Sequence, residues 1–144
     1  MTRIGTSDLD VYPLCLGGNP FGWTAGPEAS FAVLSEYADA GGNFVDTADV
    51  YSAWAPGHEG GESESIIGDW LRGRTRGQFV IATKVGMLAG HERFTERALA
   101  ESVGASLRRL QTDYIDLYYA HRFDEETPLE EAVASFAALQ AAGK

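Results

Sequence analysis

Four ionisable side chains of different type stand at or just beyond the ends of short apolar runs. Asp46 closes Asn43-Phe44-Val45-Asp46, and Tyr51 follows in the next stretch. Lys84 closes Phe79-Val80-Ile81-Ala82-Thr83-Lys84, and His121 follows Tyr114-Ile115-Asp116-Leu117-Tyr118-Tyr119-Ala120. Runs of this kind read as buried parallel strands, whose carboxyl ends open on one face of a sheet. Asp46, Tyr51, Lys84 and His121 would therefore share one mouth, and together they suit proton transfer. A carbonyl that accepts hydride develops negative charge on oxygen and needs a proton. A tyrosine hydroxyl can give it, and a neighbouring ammonium stabilises the phenolate left behind. A carboxylate keeps that ammonium charged and fixed, while a histidine N–H can orient the carbonyl oxygen.

Each residue also has a plainer reading. Asp46-Thr47 could cap a turn, Tyr51 could pack on a rim, and His121 could be structural. Lys84 is harder to set aside, because a lysine ending an apolar strand is costly unless paired. The shared strand-end placement is what favours chemistry over packing.

The elements that must position these groups alternate along the chain. Strands are expected at about Pro13–Gly17, Asn43–Asp46, Phe79–Lys84 and Tyr114–Tyr119. Helices are expected over Glu28–Ala40, over Ser63–Arg72, from Thr95 onward, and after Thr127. The last is marked by Thr127 as N-cap, Pro128 in the first turn and Glu130 completing a capping box, with Leu129, Val133, Phe136 and Leu139 as its apolar stripe. Thr2–Gly5 and Leu9–Tyr12 flank a turn at Thr6-Ser7-Asp8 and read as a β-hairpin. Strand–helix alternation means a parallel α/β sheet. Gly17-Gly18-Asn19-Pro20-Phe21-Gly22 is a poor dinucleotide fingerprint, since Pro20 withholds an N–H and no helix opens there. The (β/α)8 TIM barrel is therefore favoured over an open doubly wound sheet, and a whole one takes about 250 residues. The expectation is a single α/β domain over residues 1–144, the N-terminal half of such a barrel: four βα units preceded by the hairpin.

With 44% hydrophobic residues the chain suits a soluble globular protein. A net charge of −10 without a basic stripe speaks against nucleic-acid binding. No apolar run suits a membrane span or a secretory leader, and Cys15 has no internal partner, so the expected location is cytoplasmic. Cys15 lies in Leu14-Cys15-Leu16 and reads as a packed thiol. His58 and His91 lack the spacing of a metal site and read as solvated, so no metal is expected. Arg72, Arg74 and Arg76 read as partners of a helix C-terminus. Trp23 and Trp54 fall in loops after the first two strands, where they could shape an apolar substrate pocket.

The stretches Asn43–Tyr51, Ile81–Lys84 and Leu110–His121, with Tyr51-Ser52 and Gly61-Glu62-Ser63-Glu64 between them, resemble the aldo-keto reductase superfamily and its bacterial members. The resemblance implies NADPH-dependent reduction of small-molecule aldehydes or ketones. It implies Tyr51 as general acid, Lys84 and Asp46 as its activating pair, His121 as substrate orienter, and Asp46 with Thr47 beside the nicotinamide ribose. Family members continue through four more strands that hold most of the cofactor. This chain alone is accordingly expected to be inactive or nearly so, with unpaired barrel edges that could drive self-association. The alternative implied is a non-catalytic binding or regulatory module on the same scaffold.

Overall fold

The computed structural model describes residues 1–144. In chain order it contains β1 (Thr2–Arg3), β2 (Asp10–Val11), β3 (Leu16–Gly17), α1 (Pro27–Asp39), β4 (Phe44–Asp46), α2 (Glu62–Leu71), a 3-10 turn (Arg76–Gln78), β5 (Val80–Val85), α3 (Glu96–Leu110), β6 (Leu117–Ala120) and α4 (Leu129–Ala141). β1 and β2 pair antiparallel as the expected hairpin. β3, β4, β5 and β6 form one parallel sheet in that order, with β3 and β6 as its free edges. A helix follows each strand, so the architecture is the expected four-unit half of a (β/α)8 barrel. No helix is long and apolar enough to cross a membrane.

Side chains alternate between the two faces of a strand, and the register decides which of them meet. Val45 lies opposite Ile81, and both are fully buried with Leu34, Ile67, Val103 and Leu110 between the sheet and α1, α2 and α3. Asp46 lies opposite Ala82, so Lys84, two residues along β5, projects from the same face as Asp46. The helix layer thus turns the ionisable strand ends towards the other, concave face. Where α2 crosses α3 there is no room for a side chain at Gly68, because a Cβ there would overlap the Arg109 carbonyl and the Leu110 backbone.

Several local expectations are corrected. α4 is not started by a capping box: Thr127 Oγ1 finds no partner, and Pro128 occupies the cap position. Asp124 takes over, its Oδ1 accepting from the Glu126 and Thr127 N–H groups and its Oδ2 from Phe94 N–H. Burial opposes ionisation of Asp124, but these donated hydrogen bonds outweigh it and hold the carboxyl below the usual range. Leu129 and Val133 are exposed, since α4 packs chiefly on α3, with Phe136 against Tyr118 of β6, and turns Ala132 and Ser135 inward. Cys15 is exposed rather than packed. Partial desolvation by the atoms around it, and then the Asp46 charge, still push its thiol up to about 11, which disfavours the reactive thiolate. His91 bonds Ser102 through Nδ1, and His58 Nδ1 is buried, so neither histidine is simply solvated. Arg76 does not serve a helix end. It pairs with Asp116 at 2.6 Å and donates to the Phe79 and Tyr114 carbonyls, joining the entries of β5 and β6.

The crowding at Gly68 gives a paired prediction. Gly68→Ala should destabilise the protein by about 1–3 kcal/mol through overpacking. Gly104→Ala, in α3 where an added Cβ meets only Arg108 Nη1 at an ordinary 3.5 Å, should stabilise by about 0.5–1 kcal/mol. Urea unfolding midpoints of the two variants test the packing directly, and equal shifts would contradict it.

Candidate active site

Lys84 organises the concave face. An ammonium has three N–H donors, and here all three are used. They reach Asp46 Oδ2 at 2.7 Å, the Thr47 carbonyl at 2.8 Å and Tyr51 Oη at 2.8 Å. The Lys84 and Asp46 side chains are 16% and 25% exposed, so water screens the pair only partly. Lys84 Nζ also lies 4.5 Å from the Tyr51 ring centroid. The Tyr51 hydroxyl thus accepts from Lys84, while its own hydrogen has only a long contact of 3.4 Å to Asp46 Oδ2. A hydroxyl held through its lone pair, with a weakly engaged hydrogen, is prepared to donate.

His121 joins the same face. Its N–H continues the β5–β6 ladder to the Val85 carbonyl, and its ring centroid is 6.0 Å from that of Tyr51. Nδ1 is buried without a partner, which leaves Nε2 as the open ring nitrogen. An orphaned buried N–H is rarer than an orphaned acceptor, so the neutral ring keeps its proton on Nε2. Burial first, and then the Lys84 charge, lower the imidazole below its usual range, with Asp46 opposing them. At neutral pH His121 is therefore an uncharged ring beside Tyr51, with Nε2 the nitrogen left to donate.

The segment that carries Tyr51 is fixed at both ends. Asp49 N–H donates to the Lys84 carbonyl at 3.1 Å. Ser52 adopts φ 74°, uncommon for a residue with a side chain, and its buried hydroxyl donates to the Phe21 carbonyl at 2.8 Å. That hydrogen bond holds the strained turn and ties it to the loop after β3. Trp23 and Trp54, each about half exposed, meet edge to face at 5.5 Å, and Trp54 lies 6.2 Å from Tyr51. They form an aromatic wall beside the hydroxyl. Thr47 stands behind the site rather than in its wall. It is fully buried, its hydroxyl bonds Ser63 Oγ at 2.8 Å, and only its carbonyl reaches Lys84.

A second polar layer lies on the other face of β5. Thr83 donates to Glu64 Oε1 at 2.5 Å, and Arg109 Nε donates to Glu64 Oε2 at 2.6 Å. Asp49 is 2% exposed, and neither of its carboxylate oxygens has a partner. Glu64 could have been found in the sequence, since it falls on the apolar face of α2 three residues before Ile67. Nothing in the sequence marks Asp49.

The residues present fit the nicotinamide ribose end of a dinucleotide. Asp46 Oδ1 makes no bond within the chain and stays open to a ribose hydroxyl. Cations for its phosphates are few: Arg76, Arg93 and Arg109 are committed to buried or partly buried carboxylates, whereas Arg74, Arg108 and Arg122 pair with none.

The neutral state of His121 can be checked by titration. Followed by NMR, its midpoint should fall below that of an unperturbed imidazole, about 6.5. Lys84→Met should move it upward by removing the second cause of the shift. A midpoint at or above 6.5 in the native protein would contradict the assignment.

Comparison with known proteins agrees with this geometry. A sequence profile described as the aldo/keto reductase family matches residues 13–144. Norsolorinic acid reductase stcV of Emericella nidulans is 41% identical over 94% of this chain, which covers 38% of that protein. Aryl-alcohol dehydrogenase [NADP(+)] of Phanerodontia chrysosporium is 35% identical over 94% of the chain and 39% of its own length. The solved structure of the aldo-keto reductase AKR11C1 from Bacillus halodurans (holo form) superposes with a TM-score of 0.83 at 35% identity, covering 99% of this chain and 46% of that one. The chain therefore spans less than half the length of these relatives, and over that span it belongs to the aldo/keto reductase family.

Proposed function

We propose that this chain carries the proton-delivering half of an NADPH-dependent carbonyl reductase. The observation that carries the reading is the single Lys84 ammonium bonded at once to Tyr51 Oη and Asp46 Oδ2. Tyr51 donates its proton to the carbonyl oxygen as hydride arrives at carbon. Lys84 then holds the phenolate, and Asp46 keeps Lys84 charged and in place. The neutral His121 gives Nε2–H to the same oxygen and aligns it. NADPH, when bound, supplies the hydride, with Asp46 Oδ1 as the acceptor for its ribose.

The names of the relatives support two finer points. An NADP(+)-linked aryl-alcohol dehydrogenase supports NADPH as reductant. Together with the norsolorinic acid reductases it supports aromatic aldehydes or ketones as substrates, for which Trp23 and Trp54 offer a stacking wall. A cytoplasmic location, where NADPH is kept reduced, goes with this chemistry. Closing the sheet against a second half, from a longer polypeptide or another copy, would pair the β3 and β6 edges and provide the remaining cofactor contacts.

The test is carbonyl-dependent NADPH oxidation, measured with this chain and with this chain continued in frame by the second half of the Bacillus halodurans relative. Activity is expected in the joined protein. Tyr51→Phe should lower its kcat by roughly 10²–10⁴-fold with little change in cofactor affinity. An unchanged kcat in Tyr51→Phe would overturn the acid assignment.

A further inference from the structure

The buried carboxylate Asp49 has no role in the proton delivery described above. It is 2% exposed, and neither Oδ1 nor Oδ2 has a hydrogen-bond partner. The charged and titratable groups that face it come from every element packed around it. These are Glu64 from α2, Arg109 from α3, Lys84 from β5 and Tyr118 from β6. Arg109 is already bonded to Glu64, whose other oxygen takes the Thr83 hydroxyl. All three donors of Lys84 are used at Asp46, Thr47 and Tyr51. No cation is bonded to Asp49, and an ionised carboxylate without a partner would be costly there.

The layer also holds a matching orphan. Thr83 lies opposite Tyr118 in the β5–β6 register, so both belong to the face that carries Glu64. The Tyr118 hydroxyl is likewise buried without a partner. A carboxylic acid brings its own O–H to such a layer, whereas a carboxylate would add a second negative charge beside Glu64. The main chain links this layer to the active site. Asp49 N–H is the tie between the Tyr51 segment and the Lys84 carbonyl, and the segment's other tie is the strained Ser52.

We propose that Asp49 is a positioning residue, held as a neutral carboxylic acid, whose burial keeps its own N–H seated on the Lys84 carbonyl and so fixes Tyr51 against Lys84. Ionisation draws the carboxyl towards water and loosens that main-chain tie. The consequence for catalysis rests on Tyr51 being the general acid, but the protonation state and the anchoring do not. The electrostatics agree with the geometry. Burial first, and then the Glu64 charge, push the Asp49 carboxyl up to about 7, against smaller opposing pulls from Arg109, the nearby Val50 N–H and Lys84.

The sign of the linkage follows from that direction. The native carboxyl holds its proton above the range where the unfolded one loses it. Stability from this group is therefore full below the unfolded value of about 4 and falls as pH rises to about 7. Urea unfolding of the native protein and of Asp49→Asn, whose amide mimics the neutral acid, reads this out. The ratio of their unfolding constants should grow up to tenfold per pH unit between about pH 5 and pH 7 and then level off. A constant ratio across that window overturns the proposal. Hydrogen exchange corrected for intrinsic rates gives the positioning readout. Protection of residues 47–52 should weaken above pH 7 in the native protein and persist in Asp49→Asn. Equal protection in both overturns the anchoring. If the Asn variant does not fold, carbon NMR of the native carboxyls decides: an Asp49 carboxyl that titrates at the usual carboxylate position refutes its neutral state. None of these readouts needs turnover, so failure of the reductase reading would show separately, as an unchanged kcat in Tyr51→Phe.

Discussion

The saturated Lys84 ammonium is the constraint on which the remaining structure depends. Its three donors join β5 to the end of β4, to the backbone beyond β4 and to the loop hydroxyl of Tyr51. An ammonium short of partners would be destabilising at this depth, so each acceptor has to be delivered by the fold. The parallel register delivers Asp46, because the residue opposite it is Ala82, two positions before Lys84. Extension of the β4 segment along β5 delivers the Thr47 carbonyl, since Thr47 N–H donates to Ala82 and Asp49 N–H to Lys84. The turn at Ser52 then brings Tyr51 back over the ammonium.

The two faces of β5 are coupled by this arrangement. Lys84 projects to the concave face, and its neighbour Thr83 projects to the helix side, where it donates to the fully buried Glu64. Arg109 completes that ion pair from α3, and its side chain packs so closely on Gly61 that any Cβ there would collide with it. Gly61 is the left-handed residue that opens α2. One buried pair therefore sets the start of α2, the α2–α3 approach and the outer face of the strand that bears Lys84. Removing one partner of such a buried pair would leave an uncompensated charge, so Glu64 and Arg109 hold their elements together as a unit beside the strand that bears Lys84.

The fold and the site differ in how much of each was legible beforehand. Strand ends were legible because an apolar run that stops at Asp46 or Lys84 has few explanations other than the carboxyl end of a buried strand. α4 was misread at both its cap and its stripe. Thr127, Pro128 and Glu130 satisfy a local rule, but Asp124 competes for the same N–H groups from within the preceding turn and also reaches Phe94, thirty residues away in sequence. No local pattern contains that contact. Leu129 and Val133 have helical spacing, yet whether a stripe is buried depends on how many neighbours the helix has. The strain at Ser52 and the isolation of Asp49 are properties of assembly, so residue type and spacing do not reveal them.

The charge distribution bears on how an anionic ligand could be held by this half of the barrel. With a net charge of −10, this half repels a dinucleotide phosphate unless specific cations face it. Three of its nine arginines are spent on buried or partly buried carboxylates: Arg76 at the strand entries, Arg93 on Asp124, and Arg109 on Glu64. Releasing any of them to a phosphate would strand a buried or half-buried acid. Those pairs consume cations that a phosphate site could otherwise use, and of the arginines left without a carboxylate only Arg122 stands at the sheet end that carries His121.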